Sequence, residues 1–134
     1  MNYLAHFALA GPETGLLVGG FLGDYIKGRL ENRFSPEIER GIRLHRAIDQ
    51  YTDSHPVVKN SYKRFDPRFR RYAGIITDIA FDHLLAHNWL RYYNQPLESY
   101  SAGTLEKLLV HKDMLTDAAC QNAARMQEHN SLAH

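Results

Sequence analysis

The chain has 134 residues, 44% of them hydrophobic and 23% charged, with a formal net charge of +1. That length and balance describe one globular domain able to bury a core, and they exclude a disordered chain and a globally basic nucleic-acid binder. A single cysteine, Cys120, excludes an intrachain disulfide framework and a thiolate-rich zinc site.

Leu, Ala, Arg and Glu recur at spacings of three and four, with no sustained period-two alternation and no internal repeat, so the expected fold class is all-α, a compact multi-helix bundle. A short helix is predicted from its cap Asn2 to residue 10, ended by Gly11 and Pro12. A second is predicted over residues 13–30, with Leu16, Leu17, Phe21, Leu22, Tyr25 and Ile26 on its apolar face. Its glycines each cost about 1 kcal/mol against alanine and suit a place where another backbone comes close. The third has the clearest start: Ser35 as cap, Pro36 at the first helical position, then Glu37 and Glu39 at the positive end. It is expected to reach Tyr51. Ser54 and Pro56 announce a fourth helix, stopped near Asp66 and Pro67. A long helix over residues 67–93 is predicted to bury Phe69, Tyr72, Ile75, Ile76, Ile79, Phe81, Leu85 and Trp89. One or two shorter helices are expected over 97–111 and 113–128, the last with few large apolar residues, so that it is either peripheral or in need of a partner surface. His129 and His134 lie in this polar tail and are given no role.

The chain opens without a basic leader or cleavage signal. The longest weakly polar stretch, residues 15–22, is far short of the roughly 20 needed to span a bilayer. The expected location is cytoplasmic, with no membrane and no nucleic-acid partner.

Several polar residues fall where a helix would place core. His6 is flanked by Ala5 and Phe7. Asp24 sits within Phe21-Leu22-Gly23-Asp24-Tyr25-Ile26. A carboxylate there costs several kcal/mol if buried alone, so it is either at the surface or paired. His45 and Asp49 are four apart, as are Asp78 and Asp82, and His83 and His87; such pairs share a helix face. No Lys or Arg lies between Arg71 and Arg91 to compensate Asp78 and Asp82. A divalent metal held between helices answers that need, and an Asp–His network without metal is the alternative. Mixed carboxylate and imidazole ligands suit manganese, iron or zinc better than calcium. Such a site can polarise a phosphoryl oxygen and acidify water. There is no Gly-x-Ser-x-Gly, P-loop or dinucleotide fingerprint, and no histidine beside Cys120 to activate it.

Lys59, Lys63, Arg64, Arg68, Arg70 and Arg71 form a local basic segment opposed only by Asp66. It reads as a solvated face or as a docking surface for an acidic partner. The interleaved Tyr62, Phe65, Phe69 and Tyr72 read as core at their helical spacing.

Four separated stretches resemble the acyl carrier protein phosphodiesterase family: Met1-Asn2-Tyr3-Leu4-Ala5-His6; residues 19–28 around Gly23-Asp24-Tyr25; residues 41–49 with His45 and Asp49, followed by Thr52-Asp53; and residues 78–89 with Asp78, Asp82, His83 and His87. The resemblance covers roughly residues 1–95. It implies a distant HD-domain-like helical fold, a manganese-dependent hydrolase of lipid metabolism, and an acyl carrier protein partner. The implied reaction removes 4′-phosphopantetheine from the holo carrier to leave the apo form. Asp24, His45, Asp78 and Asp82 match positions for metal binding or catalysis, and His83 joins the catalytic set. His6 and Asp49 match as ligands or as partners of ligands. The basic segment from Lys59 to Arg71 would dock the acidic carrier. The adjacent pair Asp82-His83 reverses the HD order, so ligand order does not transfer from HD domains. Members of the family run further in helical sequence past the region matching His111. The reading is therefore one helical domain over residues 1–134, shortened at its C-terminal side. Two rivals stay open: an HD-like phosphohydrolase of a nucleotide or other small phosphoester, and a non-catalytic helical module that binds an acidic carrier. Oligomeric state and metal number are not legible.

Overall fold

The computed structural model describes residues 1–133. His134, to which the sequence assigned no role, lies outside the described residues. Every regular element among the described residues is helical: α1 (Tyr3–Ala10), α2 (Thr14–Leu22), α3 (Pro36–Ser54), α4 (Pro56–Lys63), α5 (Ala73–His87), α6 (Leu97–Val110) and α7 (Asp117–His129). Short 3-10 turns precede α5 (Pro67–Tyr72), follow it (Trp89–Arg91) and follow α6 (Lys112–Met114).

α2 and α3 form the tightest pair, and glycines make the approach possible. A Cβ on Gly19 would meet the Ile38 carbonyl oxygen and lie 2.7 Å from the Gly41 Cα; one on Gly41 would lie 2.7 Å from the Leu16 carbonyl oxygen. The helix propensity lost at these glycines is offset by backbone contact that no larger residue permits. Around this pair lie Leu4, Phe7, Val18, Phe21, Leu22 and Ile42, all nearly inaccessible to solvent.

α2 ends eight residues before its expected end. The chain leaves the helix at Gly23 and turns through left-handed positions at Gly28, Glu31 and Asn32. Buried Glu39 holds this loop by accepting the Asn32 backbone N–H at 3.0 Å. Asp24 consequently sits just past the helix rather than on its face. α3 in turn runs three residues past Tyr51 to Ser54, and the cap of α4 is His55, whose Nδ1 accepts the Val57 N–H.

The predicted long helix is divided, and its buried stripe is largely wrong. Asp66 caps a 3-10 turn by accepting the Arg68 N–H at 2.9 Å, and the α-helix starts only at Ala73. Phe69, Tyr72, Ile75, Ile76 and Ile79 are exposed, Phe81 and Leu85 are half-buried, and Trp89 alone of the stripe is buried. α5 is apolar on nearly every side, which reads as complete burial. Here it meets α1, α4 and the turn before it on one side only. The tail also departs from expectation. α7 starts at Asp117 behind the cap Thr116 and packs Ala119, Ala123 and Met126 into the core beside Leu105 and Leu108 of α6.

Candidate metal centre

α1 and α3 bring together two buried imidazoles. His6 and His45 are each 3% exposed. Their rings stack with centroids 3.6 Å apart and planes 9° from parallel. Asp49, one turn after His45, serves both: Oδ1 is 2.9 Å from His6 Nε2 and Oδ2 is 3.3 Å from His45 Nε2. Ligand atoms of these three residues all lie within 4.8 Å of one another. Asp24, released from α2 by the break at Gly23, adds Oδ1 at 3.3 Å from His45 Nε2.

The local fold sets this geometry. A Cβ on Gly23 would collide with the His45 ring, 2.6 Å from Nδ1. The absent side chain at residue 23 is therefore what admits the imidazole. His45 Nδ1 lies 2.7 Å from the Gly20 carbonyl oxygen, an acceptor only, so Nδ1 carries a proton. Nε2 is then the variable atom, and it faces two carboxylates. A bare lone pair facing Asp24 and Asp49 is repelled, so Nε2 holds either a proton or a metal. Without metal, burial opposes the imidazolium, but Asp24 and Asp49 overcome that and push the pKa up to about 9. Burial likewise opposes charge on Asp49, but hydrogen bonds from His45, His6 and the N-terminus hold its carboxyl well below the usual range.

Positive charge is drawn to the same place. The Met1 ammonium lies 3.0 Å from Asp49 Oδ1 and 3.1 Å from Asp78 Oδ1. Burial works against that charge, yet Asp49 and Asp78 raise its pKa above the ordinary value. The donors present are two imidazole nitrogens and a set of carboxylate oxygens, a mixture that fits a divalent transition metal.

The other expected residues are placed separately. Asp78 joins the cluster through the Met1 ammonium. Asp82 gives its two oxygens to the backbone N–H groups of Leu4 and Ala5, at 2.8 and 3.0 Å. It thus caps α1 in place of Asn2, whose side chain makes no cap bond. Burial raises the pKa of Asp82 although both N–H groups oppose this. His83 is exposed and lies near His87, with ring centroids 6.5 Å apart. Both line a groove of about 1080 Å³, together with Asn2, Asp82, Trp89, Leu97 and Met126. A smaller pocket of about 270 Å³ opens on Asp24, His45 and Asp49, and Lys27 and Arg46 contribute to its wall. Lys27 was not singled out from the sequence. Its only signal is its place three residues after Asp24, beside Gly28. The basic segment Lys59, Lys63, Arg64, Arg68, Arg70 and Arg71 is exposed throughout, with Arg68 paired to Asp66.

Such a cluster, in an all-helical frame, defines a helical protein whose histidines and carboxylates from separate helices could hold a cation. A family model described as acyl carrier protein phosphodiesterase matches residues 1–134, and the chain belongs to that family. It is 38% identical over 109 residues to an acyl carrier protein phosphodiesterase of Pectobacterium atrosepticum, covering 81% of this chain and 56% of the relative. The protein of that name from Yersinia enterocolitica is 42% identical over 89 residues, covering 66% and 46% of the two chains. The one from Escherichia coli O45:K1 is 34% identical over 110 residues, covering 81% and 57%. The chain thus spans about half the length of the curated relatives it matches. No solved structure matches it. No helix among the described residues is long and apolar enough to cross a membrane.

Proposed function

We propose that residues 1–134 form one helical, metal-dependent phosphodiesterase domain that removes 4′-phosphopantetheine from the serine of an acyl carrier protein. The observation that carries this reading is His45: Nδ1 is committed to the Gly20 carbonyl, and Nε2 is turned towards Asp24 and Asp49. The names of the similar proteins supply the substrate class. The distant HD-like relationship belongs to the same proposal, supported by the His–Asp pairing across α1 and α3.

His6, His45, Asp49 and Asp24 would hold the ion, with Asp78 at its edge. Manganese is the choice that the family resemblance implies. A divalent ion would supply Lewis acidity towards a phosphoryl oxygen and lower the pKa of water. Asp78, whose only ion-pair partner among the described residues is the Met1 ammonium, takes the proton of the attacking water. The new bond joins that water oxygen to phosphorus, and the bond from phosphorus to the serine oxygen breaks. His83, beside Asp82 at the groove, returns a proton to the serine. The products are apo carrier protein and 4′-phosphopantetheine. The groove, lined by Asn2, Asp82 and His83 and also by Trp89 and Met126, suits an arm with amides and apolar carbons. Asp82 acts on the site through α1, since both its oxygens are engaged there.

The basic segment from Lys59 to Arg71 docks the acidic carrier. It also favours a second reading, a carrier-binding module without turnover, because the basic side chains are exposed and come shortly before the exposed Ile75 and Ile79 in the chain. Intact-mass analysis of holo carrier protein, incubated with the chain and manganese or with chelator, separates the two. A fall to the apo mass only with metal supports hydrolysis. A stable complex with unchanged mass supports the module.

A further inference from the structure

The small pocket is lined by groups of opposite charge. Asp24 and Asp49 line it together with His45, and so do Lys27, from the loop after α2, and Arg46, next to His45 on α3. Cations so near carboxylates ordinarily pair with them. Among the described residues neither Lys27 nor Arg46 has a carboxylate oxygen within ion-pair distance, although Asp24 and Asp49 share their pocket. Arg46 is instead turned by a hydrogen bond from Nη2 to the Ile26 carbonyl oxygen at 3.2 Å. That bond uses one of its five N–H donors and leaves the rest of the fork open. The Lys27 side chain makes no hydrogen bond among the described residues; only its backbone oxygen is engaged, by Arg33 at 3.0 Å.

We infer that Lys27 and Arg46 form an oxyanion site for the phosphoryl group, in the same pocket as residues that would hold a metal. The ligand class is a phosphate monoester or diester, and the assignment rests on the phosphoester reading above. Carboxylates and cations lining one pocket suit a metal ion and a tetrahedral anion side by side. The carboxylates and His45 take the first, and the guanidinium and ammonium take two oxygens of the second. A volume of about 270 Å³ takes a phosphate with room to spare and stays below the roughly 300 Å³ at which pockets for larger organic ligands begin. The longer arm of a substrate must therefore leave this pocket. The loop that presents Lys27 is tied down by the Glu39 and Arg33 contacts, so the ammonium is offered from a fixed backbone.

The probe is inorganic phosphate, titrated into the manganese-loaded chain and followed by the broadening of its phosphorus resonance. Lys27→Gln is the decisive variant, because its side chain supports nothing in the fold. Its phosphate dissociation constant should rise about tenfold, as for one lost charge-assisted hydrogen bond, with manganese affinity and melting temperature unchanged. Arg46→Gln should show a loss of similar size, and Arg46→Lys should recover part of it. Wild-type binding of phosphate by Lys27→Gln overturns the assignment. So does absence of phosphate binding to the wild-type chain, or displacement of phosphate by equal chloride. Carrier-protein turnover is scored separately. Cleavage with unaltered phosphate binding in both variants removes the oxyanion site and keeps the phosphodiesterase. Weakened phosphate binding in the variants without cleavage of any carrier keeps the site and removes that substrate.

Discussion

The imidazole of His6 lies flat against that of His45, 3.6 Å between ring centroids, and both rings turn Nε2 to the carboxylate of Asp49. Two buried rings sharing one carboxylate leave a single place where positive charge is favoured. In the metal-free chain the proton on His45 fills part of that need. A metal must displace it, which links metal binding to pH.

The sign follows from the raised pKa of His45, 6.5 in the unfolded chain and about 9 when folded. Its contribution to stability is complete below about pH 6.5 and is lost as pH rises through about 9, on the order of 3 kcal/mol. The lowered pKa of Asp49 adds a loss on the acid side, as pH falls below about 4. Its depression also includes His6 and Met1, so the two are not summed. Urea unfolding in chelator should therefore show greatest stability between about pH 5 and 7 and a decline towards pH 10. Manganese affinity should rise about tenfold per unit as pH goes from 6 to 8. A metal affinity flat across that range would contradict a ligand role for His45 Nε2.

Gly23 makes room for His45, and the cost of filling that room can be measured. Gly23→Ala places a methyl group into the imidazole. Either the ring or the end of α2 must move, for about 1–3 kcal/mol. If the ring supplies a metal ligand as proposed, manganese affinity should fall at least tenfold together with the melting temperature. Gly103→Ala, where a Cβ meets nothing within 4 Å, is the control that should keep both. Isothermal titration and a thermal melt on the two variants decide this.

Asp82 tests how a residue outside the cluster governs it. Its oxygens hold the first turn of α1, and His6 is the next residue after the bonded Leu4 and Ala5. Asp82→Ala removes two charge-assisted hydrogen bonds and leaves two N–H groups without acceptors, for about 2–4 kcal/mol. Asp82→Asn keeps one oxygen and should lose about half as much. Metal affinity should follow the same order in chemical unfolding and manganese titration. If Asp82→Ala abolished metal binding while leaving stability intact, Asp82 would be a ligand and not a cap.

These cases show which parts of the site were legible from residue order. The pairing of His45 with Asp49 follows from helical spacing alone, and so does the start of α3 at Ser35 and Pro36. His6 needed the crossing of α1 over α3, which no local pattern encodes. Helical spacing puts Asp24 on a helix face because the Gly-rich run reads as helical; α2 in fact ends at Leu22, and Gly23 leaves the space that the His45 ring fills. Asp78 and Asp82 do share a face, yet one reaches the Met1 ammonium and the other the α1 backbone. The spacing predicted their nearness but not their partners. The stripe on α5 misled for another reason. Periodicity reports that a helix is apolar, and it does not report whether anything covers it.

That uncovered face gives the last prediction. Ile75 is 64% exposed and Ile79 56%, and the basic side chains of residues 63–71 lie just before them in the chain. Exposed isoleucines contribute little to folding, so Ile75→Ser with Ile79→Ser should change unfolding free energy by less than about 1 kcal/mol. Exposed apolar side chains close to a basic segment suit another protein, and an acidic carrier would meet both charge and apolar surface. The double serine variant should therefore raise KM for holo carrier protein several-fold and leave phosphate and manganese binding unchanged. Arg70→Glu with Arg71→Glu should raise it further, most at low salt, because the charges steer encounter across a Debye length of about 10 Å at 0.1 M. If both double variants kept the KM of the parent chain, the carrier would be docking on a different face, with the basic segment left as solvated surface.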